Sequence, residues 1–149
     1  MNGYDPQMAQ RVWQRVQSRT TQEDSTQQLQ PRIASALTDA ALCRLLLPRF
    51  QAEQKQLLQH VVREKTAHAH CLQGIFRSIT GSAPDVRISL PPPGTTEGTL
   101  QRCLGNTLSC IEYYRQWESP AGFSPVFSRL AEEETALARI LLQLLGQIQ

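Results

Sequence analysis

The side chains able to do chemistry in this 149-residue chain include three histidines, four cysteines and thirteen acidic residues. Lys65 and His68 interrupt a run that is otherwise apolar at steps of three and four: Leu58, Val61, Lys65, His68, Leu72, Ile75 and Ile79. Glu134 interrupts a second run, Phe127, Leu130, Glu134, Leu137, Leu141 and Leu144. Thr107 falls in a third, Leu100, Cys103, Thr107, Cys110, Tyr114 and Trp117. A fourth reads Ile33, Ala36, Ala40, Cys43 and Leu47, with Asp39 beside it. Such steps follow the one face of a helix that turns toward a bundle axis. An ammonium, a carboxylate and an imidazole on such faces each cost several kcal/mol if buried alone. They are therefore expected to share one polar centre, in which Lys65 and Glu134 form a buried ion pair. His68 is expected to add a hydrogen bond to Asp39 or Thr107.

The remaining candidates point elsewhere. His68 and His70 lie two apart on a helix and face about 200° away from each other, so a histidine cluster with His60 is not expected. Glu64 and Glu133 sit about 100° off the inner faces and are expected outside the centre. Cys43, Cys103 and Cys110 lie on inner faces, where free thiols pack as small hydrophobes; a redox or soft-metal site is the other reading. Arg11, Arg15 and Arg19 recur every four residues and read as solvated charges. Fifteen basic against thirteen acidic residues give a formal charge of +2, without the dense positive field of a nucleic-acid binder. No uncharged apolar run reaches the roughly 18 residues a membrane span needs. There is no C-x-x-C pair and no apolar leader, so a cytoplasmic location is expected. Gly-rich phosphate loops and nucleophile elbows do not occur.

The elements that must position these groups are helical. Asp5 and Pro6 open a short N-terminal helix to about residue 18, with Trp13 and Val16 to dock on the bundle or a second subunit. A polar stretch, 19–28, reads as a linker, so the expected division is 1–24 for helix and linker and 25–149 for the main domain. Core helices are expected at about 25–47, with Pro31 in its first turns, and at 51–80, ended by Gly81. Two more follow at about 99–117 and 124–146, separated by residues 119–122. Residues 82–98, with Pro84, Pro91, Pro92 and Pro93, form an extended connector. The class is all-α. Seventeen extended residues reach about 55 Å, enough to traverse a helix of about 37 Å, so two helical hairpins joined by one long crossover are expected.

Those helices, with Asp39-Ala40-Ala41-Leu42, the His-Ala-His-Cys-Leu-Gln-Gly-Ile-Phe core from His68, and Leu-Ala-Glu-Glu-Glu from Leu130, resemble the ferritin-like, rubrerythrin-type di-iron carboxylate family. In that family two helices each give one Glu and two give a Glu-x-x-His motif. The resemblance implies ligand positions at Ala36, Lys65, His68, Thr107, Glu134 and Leu137. Only His68 and Glu134 keep a ligating type. It thus implies a ferritin-like four-helix bundle with a dismantled metal site, no cofactor, and a non-catalytic structural or protein-interaction role, self-associating as a homodimer. The alternative is a residual metal or redox protein that holds a single iron, manganese or zinc ion on His68 and Glu134.

Overall fold

The computed structural model describes residues 6–92, 94–117 and 124–148, with the side chains of 8–26 and Ser124 outside the description. All regular structure among the described residues is helical: α1 (Pro6–Leu46), a single 3-10 turn (Leu47–Arg49), α2 (Ala52–Thr80), α3 (Thr96–Gln116) and α4 (Ser124–Gly146). The helices pack in pairs, α1 along α2 and α3 along α4, and the pairs meet through α2 with α4 and α1 with α3. That order leaves α1 diagonal to α4, and α2 diagonal to α3.

Sequence chemistry accounts for the boundaries. Gly81 takes φ +78° and its N–H closes on the Arg77 carbonyl at 2.8 Å, a left-handed stop to α2. Thr95 caps α3 by accepting from the Gly98 N–H at 3.0 Å, which starts that helix three residues before the expected Thr99. Pro48 is the middle residue of the 3-10 turn that reverses the chain between α1 and α2.

The N-terminal part differs from expectation. No linker separates a short helix from the bundle; α1 runs unbroken through residues 19–28 and through Pro31. That stretch is polar but holds no glycine or proline, and Gln and Glu are good helix formers. Pro31 denies a donor to the Gln27 carbonyl, and both residues are exposed, so water can satisfy the freed acceptor. The expectations for Asp5, residues 119–122, and the side chains of Arg11, Trp13, Arg15, Val16 and Arg19 lie outside the described residues.

Contacts fix the helix directions. Arg49, just before α2, donates to the Gly94 carbonyl and the Thr96 hydroxyl, both at 3.1 Å, at the start of α3. Gln54 near the start of α2 donates to Gln147 just past α4 at 3.0 Å. So α2 and α3 run parallel, α4 opposes them, and the described residues between α2 and α3, 82–92 and 94–95, return along the length of the bundle. The four inner faces are buried as the three-and-four spacing predicts, except at the ends: Ile79 is exposed, and Leu47 and Trp117 are half-buried.

The core is divided. One apolar cluster gathers Ile33, Leu72, Tyr113, Tyr114, Phe127 and Leu130, and the other Cys43, Leu46, Leu58, Leu100, Leu141 and Leu144. Between them lies a layer of buried polar residues.

Candidate functional site

Each helix supplies part of that layer. Asp39 from α1, Lys65 and His68 from α2, Thr107 from α3 and Glu134 from α4 are all at most 2% exposed. The Lys65 ammonium lies at the middle. It donates to the Thr107 hydroxyl at 2.7 Å and to Glu134 Oε2 at 2.8 Å, and stands 4.0 Å from Asp39 Oδ2. Thr107 in turn donates to the Cys103 carbonyl one turn back at 2.7 Å, so its hydroxyl presents lone pairs to the lysine.

His68 is arranged differently from expectation. Its Nδ1 donates to Glu134 Oε1 at 2.8 Å, and its Nε2 lies 2.7 Å from Glu133 Oε2. Asp39 and Thr107 are not its partners. The lysine, reaching further along the axis, occupies Thr107, while Asp39 Oδ1 accepts from Asn106 Nδ2 at 2.9 Å. Asp39 Oδ2 is buried without a hydrogen-bond donor.

Electrostatics follow from this geometry. Burial alone would lower the Lys65 pKa, but the charges of Glu134 and Asp39 outweigh it and hold the ammonium protonated. Burial would lift the Glu134 carboxyl; the hydrogen bond from His68 and the charge of Lys65 instead hold it below the usual carboxylate range. The His68 imidazole loses from burial and gains more from Glu134 and Glu133, so its pKa stands above the ordinary value. Asp39 is the exception: burial pushes its carboxyl up to about 6 despite Lys65 and Asn106.

The paired-iron centre that the resemblance implies does not fit these residues. Ala36 and Leu137 are buried and offer no donor atom, and Thr107 is engaged with the lysine. Both Glu134 oxygens are taken, one by Lys65 and one by His68. An ammonium against a divalent ion at about 4 Å, at an effective dielectric near 20, is repelled by about 8 kcal/mol.

Two groups that the inner-face spacing left out belong to the site. Glu133 bonds the outer nitrogen of His68, and Glu64 Oε2 lies 3.5 Å from that same nitrogen. The signal available in the sequence was the i,i+4 spacing of Glu64 and His68. The cysteines are free thiols; Cys43 and Cys103 Sγ approach to 3.5 Å between α1 and α3, and Cys110 lies in the other apolar half. His60 and His70 are exposed. No helix among the described residues is long and apolar enough to cross a membrane.

Comparison with family models, with curated proteins and with solved structures returns no match to this chain.

Proposed function

We propose that this chain is a ferritin-like bundle of the rubrerythrin type in which an ion pair stands where paired iron would be held. It serves as a non-catalytic scaffold or protein-interaction module. The observation that carries the reading is the Lys65 ammonium, 1% exposed and bonded at once to Glu134 and Thr107. Those three residues occupy positions where the resemblance calls for carboxylate ligands. The antiparallel pairs and the long return between α2 and α3 support the ferritin-like topology.

The residual-metal alternative on His68 and Glu134 is weaker, because both Glu134 oxygens already accept hydrogen bonds and one of them holds the Lys65 ammonium, whose charge repels a cation. A homodimer built on the bundle is part of the proposal by resemblance.

Reversion tests the reading. The variant carrying Ala36→Glu, Lys65→Glu, Thr107→Glu and Leu137→His is expected to acquire two ferrous or cobaltous ions per chain, seen by metal analysis and visible absorption. The unmodified protein is expected to neither hold paired iron nor oxidise ferrous iron above the buffer rate. Two ions per chain and ferrous oxidation in the unmodified protein would refute the loss of the centre. A reverted variant that is helical by circular dichroism, yet takes no metal, would refute the ferritin-like register. If the metal-free variant is unfolded, refolding by added cobalt is the reading expected, because four buried carboxylates need the cations.

A further inference from the structure

We propose a single divalent-cation site at the edge of the bundle, on Glu64 and His68 of α2 and Glu133 of α4, which shares His68 with the interior centre and meets it through the outer ring nitrogen. Glu64 Oε2, His68 Nε2 and Glu133 Oε2 face one another, with one donor atom from each residue all within 4.8 Å. A tetrahedral ion with ligand bonds of about 2.1 Å spaces its donors about 3.4 Å apart. The Nε2 to Glu64 separation is 3.5 Å, already at that spacing, and the Nε2 to Glu133 separation is 2.7 Å. The second must open by about 0.7 Å, a motion open to a side chain 38% exposed.

The imidazole is built for the role from behind. Glu134 is buried, fixed by Lys65, and accepts the Nδ1 proton at 2.8 Å, which orients the ring and aims Nε2 outward. A carboxylate behind a ligating histidine is the recurrent arrangement that fixes the tautomer and raises the basicity of the metal-facing nitrogen. Glu64 and His68 share one face of α2 by their i,i+4 spacing, and Glu133 reaches across from α4. Both glutamates are partly exposed, which leaves the fourth position to water.

Charge agrees with a cation. Two carboxylates, Glu64 and Glu133, converge on His68 Nε2, and Arg129 touches Glu133 through Oε1 at 3.6 Å, leaving Oε2 to the site. When the ion binds, the nitrogen–metal bond replaces the Nε2 proton of His68, and that proton passes to solvent. One imidazole, two carboxylates and water suit zinc or another first-row divalent ion, whereas magnesium and calcium prefer oxygen alone.

Zinc titration by calorimetry at pH 7.5 on the full chain, with cobalt absorption as a second readout, tests this. The expected result is one ion per chain, with Glu64→Gln and Glu133→Gln each binding at least about tenfold more weakly. His60→Gln with His70→Gln leaves binding unchanged. At zinc a hundredfold above Kd the melting temperature rises by roughly 5–10 °C. Three results would overturn the site: no stoichiometric binding up to about 0.1 mM zinc; binding indifferent to both glutamate variants; or binding lost in the His60 and His70 variant. The first leaves His68 as an imidazolium between Glu133 and Glu134. The two experiments are told apart by stoichiometry: this site takes one ion on the unmodified chain, whereas the reversion experiment turns on paired ions and on ferrous oxidation.

Discussion

Replacing Lys65 by Met keeps the length and apolar stem of the side chain and removes only the ammonium, so it isolates the charge at the centre. At an effective dielectric of 20, the 2.8 Å contact to Glu134 and the 4.0 Å contact to Asp39 are worth about 6 and about 4 kcal/mol before desolvation. Burying the ammonium returns much of that, several kcal/mol per ion. The loss has a ceiling, because the Glu134 carboxylate, left with His68 on Oε1, can take a proton on the Oε2 that the lysine vacates. From its ordinary 4.5, protonation at pH 7 costs about 3.4 kcal/mol at 1.36 kcal/mol per pH unit.

The expected destabilisation is therefore about 3–4 kcal/mol at pH 7, a fall in melting temperature of roughly 10 °C for a domain of this size. Its pH dependence is the sharper signature. In the native chain Glu134 lies below 4.5, so its contribution exists above that value and is lost as pH falls through its folded pKa. In the variant its pKa is raised, so the protein loses stability as pH rises. The difference between the two must grow from about 1 kcal/mol at pH 5 to the full value near pH 7. Urea unfolding at both pH values, with chelator present, measures it. Lys65→Met with Glu134→Gln should regain at least half of the loss, since the amide still accepts from His68. A cost below about 1 kcal/mol at pH 7, or equal costs at the two pH values, would refute the buried ion pair as the organising contact.

Asp39→Asn should act oppositely. The Asp39 carboxyl is lifted from 3.8 to about 6, so its contribution favours the fold below pH 3.8 and is lost as pH rises through 6. The variant is thus more stable than the native chain by up to about 3 kcal/mol at pH 8 and indistinguishable at pH 4, read from urea midpoints. Among the thiols, Cys71 is half-buried while Cys43, Cys103 and Cys110 are buried, so one thiol per chain should react promptly with Ellman's reagent. The other three should react only at the rate of unfolding, and Cys71→Ser should abolish the fast phase. Gly81→Ala meets no atom within 4 Å but must adopt φ +78°; a loss of about 1 kcal/mol, or roughly 2–4 °C in melting temperature, is expected by calorimetry.

How much was legible in the sequence depended on whether a residue acts along its own inner face or across an edge. Counting in threes and fours brings Lys65, Thr107 and Glu134 to one height, because each lies mid-helix on a face that must be buried. The end of α2 could be read from Gly81, since a glycine that takes the left-handed conformation stops a helix for a local reason. The continuity of α1 could not. Polar composition signals exposure, and exposure is compatible with either linker or helix when glycine and proline are absent.

Glu133 was missed for a related reason. Helical angle places a Cα–Cβ bond, and at 100° from the inner face that bond points along the bundle surface. The imidazole of His68 is long enough to have one nitrogen on each side of the boundary: Nδ1 meets Glu134 inside, and Nε2 meets Glu133 at the edge. A side chain with two separated polar atoms therefore belongs to two faces at once, which a count assigning each residue a single direction cannot represent. The same property makes His68 the physical link between the interior and the edge. Its ring orientation depends on Glu134, whose own position depends on Lys65, so the ammonium at the centre also sets the aim of the His68 nitrogen directed away from it.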